Sequence, residues 1–496
     1  MTDNILIIVY LLMWVATFFW YHHIHKQIDG GSAVIVSYII YALFSIITLN
    51  EGFLNITELG TDLNYKPLRL FPFIYLYLML MLALLPAIRM HSRSARRIED
   101  PHSKSLIIPC VITIVCVCVQ VPYIISDFSS GFVDLLVDSD AGNDAYMERF
   151  ENMEEAGGII RNLPAVLFNL CYDCSTFLFF YYLTRKKNNR FFLITLFAAI
   201  FIGMILPVVN GQRGSVVKAG LTIVAGYMLF RQFYSKRLNH IITIASIGLV
   251  TIVSVPIIAI TVSRFGDRES GLNTNSYVYY YIGQANIYFN NYALDAGGTR
   301  NGDRTFNLLK RLVQPDTPKN YTERRNEYSD LEIDDYVFTT FVGDFVIDFG
   351  PTIAVIIFLV FNIWALSHIR PRGRTITLHE LLIVYFSLCI CMQGGMTLYQ
   401  YSDTNFLSIV IMAMLYIWLR LRNPYVPRFY VPRGHFRRVR PSYYGQGNKQ
   451  HKSGEMLRGN RQGSLPAVRQ VRNLQHRIGK PVRYRGVRHG LEWRKY

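Results

Sequence analysis

Eleven apolar runs of membrane-crossing length limit what this chain can fold into more than any other feature. They lie at about residues 5–20, 33–49, 71–88, 106–125, 163–183, 191–209, 216–231, 241–262, 346–366, 376–393 and 404–420. A hydrocarbon layer of about 30 Å takes roughly 17 to 25 helical residues, so each run reads as a spanning helix. Prolines within the runs (Pro109, Pro122, Pro207, Pro256) would break a soluble helix but are tolerated where neighbouring helices satisfy the freed carbonyls. Only 17% of residues are charged and the mean hydropathy is +0.22, which excludes an ordinary water-soluble enzyme. The expected fold is an all-α polytopic membrane protein of about eleven transmembrane helices.

Orientation follows from the basic residues of the short loops. Loops after runs 1, 3, 5, 7 and 9 carry 16 Lys and Arg, whereas those on the other side carry about five: Lys66, Arg69, Arg149, Arg161 and Arg213. This bias puts the N-terminus outside and the C-terminus in the cytoplasm. The first run has no basic leader and no small-residue cleavage site, and so reads as an anchor.

The formal net charge of +17 sits at one end. From Arg420 onward there are 20 Lys and Arg against Glu455 and Glu492, a net +18, so the first 419 residues sum to −1. The tail, residues 421–496, is rich in Arg, Gly, Pro, Gln and Asn and is expected to be a disordered cytoplasmic segment. It reads as an anionic-lipid contact and topology anchor, and nucleic acid is the less favoured partner. All seven cysteines fall inside predicted helices, so none is placed for an exported disulfide. Cys171 and Cys174 have the spacing of a metal or redox pair but are assigned no role, since small polarizable packing residues explain them. All twelve histidines fall on the cytoplasmic side, and there is no P-loop, dinucleotide fingerprint or His-Glu-x-x-His motif.

Two outer loops are too long to be mere connectors. The first, about 126–162, holds nine acids against Arg149 and Arg161 and reads as a solvated acidic loop. The second, about 264–336, precedes helix 9 and includes the Tyr-rich stretch Tyr277 to Tyr292, whose rings could stack on sugars or form an interfacial belt. Between runs 6 and 7 the turn is Asn210-Gly211-Gln212-Arg213-Gly214-Ser215. A guanidinium between glycines can approach a diphosphate closely, or be a snorkelling residue in a tight turn. Arg264 and Arg268 interleave with Asp267 and Glu269 and could pair with them. Arg300 and Arg304 flank Gly302-Asp303 in a turn-like setting, as weaker candidates of the same type. Asp344 and Asp348 are four apart, share a helix face, and sit where run 9 enters the membrane. They could supply a general base or hold nearby arginines. Asp173 and Lys218, inside runs 5 and 7, read as a mutual ion pair or as polar contacts.

This layout resembles the Wzy-type O-antigen (oligosaccharide repeat unit) polymerases of bacterial inner membranes over roughly residues 1–420. The likeness rests on ten or more spans, the Gly211-Gln212-Arg213-Gly214 turn, a long outer loop late in the chain, and the aromatic-acid run Phe341 to Gly350. It implies a GT-C-like, metal-independent glycosyltransferase without cofactor. Such an enzyme joins undecaprenyl-diphosphate-linked repeat units into O-antigen, capsular polysaccharide or exopolysaccharide on the periplasmic face, with a chain-length regulator and a flippase as partners. By resemblance Arg213 binds the carrier diphosphate with Arg264 and Arg268, and Asp344 or Asp348 takes the acceptor proton or holds the arginines. Arg300, Arg304, Tyr281 and Gln284 are the candidates for substrate contact. An O-antigen ligase relies on an outer-face His that is missing here. A flippase or exporter of lipid-linked oligosaccharide is the rival from another class, against which stands the lack of internal repeats.

Overall fold

The computed structural model describes residues 2–51, 65–90, 95–101, 105–119, 159–185, 189–209, 213–246, 274–318, 321–333, 337–371, 374–396 and 403–422. Residues 126–158 of the first outer loop, Arg264, Arg268 and the basic tail beyond Arg422 lie outside the described residues.

The described chain is mostly helical. In order it forms α1 (Thr2–His25), α2 (Gly30–Asn50), α3 (Leu70–Arg89), β1 (Ala95–Glu99), α4 (Ser105–Val119), α5 (Ile159–Thr184), α6 (Arg190–Val209) and α7 (Arg213–Phe230). Then follow α8 (Thr274–Tyr288), α9 (Asn307–Val313), α10 (Tyr321–Asn326), α11 (Thr340–His368), β2 (Arg374–Thr377), α12 (Leu378–Gln393) and α13 (Asp403–Arg422). Among the described residues six helices are long and apolar enough to cross a membrane: α1, α2, α3, α5 from Val166, α6 to Pro207, and α11. The apolar helices α4 and α12 are shorter, and most of the run expected at 241–262 lies outside the described residues. Large apolar side chains stand exposed along the long helices, among them Leu12, Phe19, Ile194, Val360 and Ile363. Such surfaces suit a hydrocarbon solvent.

Polar contacts sort the connectors onto two ends, as alternating spans require. At one end β1 and β2 pair in parallel, Tyr181 of α5 donates to Asp100 at 2.9 Å, and Arg231 reaches the Ile28 carbonyl between α1 and α2. His25, His368 and His379 stand at this same end, His368 against Arg420 at 3.1 Å. At the other end Asn4 of α1 meets Asn50 of α2, and Tyr65 donates to Asp3. The two short strands depart from the all-helical expectation. Each is part of a connector rather than a span, and their ladder joins the α3–α4 and α11–α12 connections.

The Tyr-rich stretch is a packed helix, with Tyr280, Tyr288 and Tyr292 buried. It lies against α2, where Ser45 donates to the Gly283 carbonyl at 2.6 Å and Thr48 to the Tyr279 carbonyl at 2.9 Å. Close approach requires glycine: a Cβ on Gly283 would lie 2.4 Å from the Phe44 carbonyl oxygen. Gly283→Ala should therefore destabilise the fold by about 1–3 kcal/mol. Gly220→Ala, where a Cβ meets nothing within 4 Å, should be neutral or stabilising. Thermal midpoints in detergent that rank the two variants equally would contradict this packing.

Candidate functional site

The site is built on the break in α11. Gly350 has φ +78 and is followed by Pro351, so the helix divides into a short head, Thr340 to Phe349, and a long apolar shaft. Only glycine adopts that backbone at little cost, and proline removes the donor needed to continue the ladder. On the head, Asp344 and Asp348 form one stripe, and Phe345 and Phe349 form the next.

Both stripes grip the outer loop at residues 300–306. Asn301 (φ 52) and Gly302 (φ 77) make a left-handed turn, the conformation that Asn-Gly favours. A Cβ on Gly302 would lie 3.1 Å from the Phe349 ring. Phe306 packs on Phe345 and Phe349 with ring centroids 5.8 and 5.7 Å away. Asp348 accepts from the Arg304 amide at 3.2 Å, and from the Thr305 amide and hydroxyl, each at 2.6 Å. The Arg300 amide donates to the Ile347 carbonyl at 3.1 Å, and the Arg304 guanidinium meets Asp344 at 2.8 Å.

A second set of charges surrounds Asp303. Lys310 of α9 lies 3.3 Å from its carboxylate, and Arg324 of α10 lies 3.9 Å from it. Lys310 also donates to the Tyr328 hydroxyl. Burial alone would lower the Lys310 ammonium, but the Tyr328 hydrogen bond and the Asp303 charge outweigh it and hold it above its ordinary value. Burial raises the Tyr328 hydroxyl against the opposing pull of Lys310.

Arg300, Arg304 and Arg324 are each at most 3% exposed, as are Asp303, Asp344 and Asp348, and the Lys310 side chain is 10% exposed. Among the described residues these four cations and three carboxylates thus form one charge cluster away from bulk water. Unpaired, any of these ions would be costly to bury. Guanidinium groups offer the planar forks that suit phosphate oxygens.

Of the residues singled out in the sequence, Arg300, Arg304, Asp344 and Asp348 come together here. Tyr281 and Gln284 meet the chain just before α11, at Phe338. The Tyr281 ring stands edge-on to it at 4.8 Å, and the Gln284 carbonyl accepts the Phe338 amide at 3.2 Å. Arg213 is the first residue of α7, and its side chain lies outside the described residues. The sequence reading did not anticipate Lys310 and Arg324, which sit in a mixed-charge loop with no distinguishing spacing. Nor did it anticipate Asn290 and Asn291, buried in a π-helical turn after α8. Their amides bracket the backbone of Arg69 and Lys66, each donating at 2.7 Å and accepting at 2.9 and 3.2 Å, and so tie the segment before α3 to the outer loop. Among the described residues no group of His, Cys, Asp and Glu could hold a metal ion.

No protein-family model matches this chain, and neither does any curated protein or solved structure.

Arg304→Leu should cost about 3–5 kcal/mol by leaving Asp344 buried without its ion-pair partner. Arg304→Leu combined with Asp344→Leu should recover most of that loss. A double variant whose thermal midpoint falls by the sum of the two singles would show that the two side chains do not act as a pair.

Proposed function

We propose that this chain is a membrane glycosyltransferase of the Wzy type, polymerising undecaprenyl-diphosphate-linked oligosaccharide repeat units. On this reading it is an inner-membrane protein of about eleven spans and GT-C-like organisation. The cluster faces the periplasm and the C-terminus the cytoplasm. One observation carries the proposal: a buried cluster of arginines and carboxylates is mounted on the head of a helix long and apolar enough to span the membrane. That arrangement suits a substrate with an anionic diphosphate at the membrane surface and a hydrocarbon tail within it.

In the proposed reaction the acceptor hydroxyl oxygen bonds to the anomeric carbon of the donor chain. The bond from that carbon to the carrier diphosphate breaks, its electron pair leaves with the diphosphate, and the acceptor hydroxyl proton passes to an oxygen of the departing diphosphate. Arg213, Arg300 and Arg304 stabilise the charge that develops there, an effect worth several kcal/mol when donors are preorganised. Asp348 already accepts three hydrogen bonds and Asp344 is paired with Arg304, so both are assigned to holding the cationic groups in place rather than to proton abstraction.

Purified protein reconstituted with lipid-linked repeat should yield longer lipid-linked chains. Repeat that crosses the bilayer unchanged would identify a transporter instead. Arg213→Ala should abolish elongation while inserting normally, and full elongation by that variant would remove Arg213 from the mechanism. Truncation after Asn423 should leave elongation intact, since the proposed chemistry belongs to the nearly neutral first 419 residues. Loss of activity in a truncated protein that still inserts would give the tail a direct role.

A further inference from the structure

Gln393, the last residue of α12, spans a gap between two parts of the proposed site. Its side-chain amide donates to the Thr222 hydroxyl of α7 at 2.6 Å. Thr222 is fully buried and donates to the Lys218 carbonyl one turn earlier at 2.9 Å. Immediately after Gln393 the helix stops at Gly394-Gly395, and the exposed carbonyls turn to the head of α11. The Phe341 amide donates to Gly394 at 2.8 Å and the Thr340 amide to Met396 at 2.6 Å. A Cβ on Gly394 would lie 2.7 Å from the Phe341 side chain, and one on Gly395 would lie 2.0 Å from the Tyr41 ring. Thr340 takes φ 67, a conformation strained for a β-branched residue, at the point where these bonds hold it.

One polar path therefore runs from α7 through Gln393 into the backbone that starts the carboxylate-bearing head. Arg213 begins α7, nine residues before Thr222, or about 14 Å along the helix. Arg300 and Arg304 are held by the head of α11. In an apolar surrounding a side-chain amide has few alternative partners, so its bond fixes relative height more firmly than apolar packing alone.

We propose that Gln393 is a positioning residue that, through Thr222, sets the height of α7 and its Arg213 relative to the head of α11 with Asp344 and Asp348. This rests on the polymerase reading, in which Arg213 and the α11 cluster act on one diphosphate.

The test uses full-length protein and lipid-linked repeat. Gln393→Leu removes the donor, and the milder Gln393→Asn keeps the amide one methylene short of its partner. Each should lower kcat about tenfold with KM changed less than about twofold, because a small misplacement costs rate before it costs binding. Thr222→Val should do the same, and the double variant should be no worse than either single, as for two residues acting through one bond. Amide exchange at Thr340 and Phe341 should quicken about tenfold in Gln393→Asn, the signature of a loosened head. Three results overturn the proposal: unchanged kcat in Gln393→Asn, multiplying effects in the double variant, or unchanged exchange at Thr340 and Phe341. The exchange arm needs no turnover, so it judges Gln393 even if wild-type protein fails to elongate, which would sink the polymerase reading by itself.

Discussion

The carboxylate of Asp348 is the fixed point of the outer face. It satisfies two amides and a hydroxyl of a turn 43 to 44 residues away in sequence. That junction makes the long loop part of the helix head instead of a free excursion. Once the turn is held, Phe306 is seated on Phe345 and Phe349, and Arg304 is delivered to Asp344. An ionised carboxylate accepts several strong hydrogen bonds at once, which no neutral side chain of similar size can do. Its burial is affordable only because the turn brings the donors.

Irregular backbone in a membrane bundle is tolerated where it is enclosed by protein or lines a cavity. The breaks in this chain follow that rule. Gly350-Pro351 ends the head of α11, and Gly394-Gly395 ends α12 against the start of that same head. The π-helical turn at Phe289–Ala293 clamps the chain before α3. Each break frees backbone or side-chain polar groups, and each finds partners from a different element. Three interruptions thus converge on one end of the bundle, the end that carries the buried charges.

Hydropathy made the helices legible, because a lipid-facing helix must be apolar over its whole length whatever it packs against. It placed the start of run 9 at about residue 346, six residues later than Thr340. Asp344 and Asp348 lower the local hydropathy, and the groups that relieve their burial come from a distant loop. Asp344 and Asp348 could still be paired by their four-residue spacing, and Arg300 and Arg304 by the turn between them. Lys310 and Arg324 could not be found this way: in a loop of nine basic and eleven acidic residues, partners are set by tertiary structure. The tyrosines between 277 and 292 show the opposite failure. Aromatic density was read as a surface property, but Gly283, Ser45 and Thr48 draw that helix into the core.

The first 419 residues are close to neutral overall, so the buried arginines do not belong to a generally basic surface. A surface of single-sign charge would be screened within about 10 Å by salt. Charges as deeply buried as those of Arg304 and Asp344 act in a lower dielectric, where each interaction is stronger and unpaired charge is less tolerable. On the proposed reading, the carboxylates keep the arginines in place, and a diphosphate presented at the membrane surface, with its lipid tail along the bundle, meets donors that are already oriented. Resting stability and substrate recognition then draw on the same buried arginines.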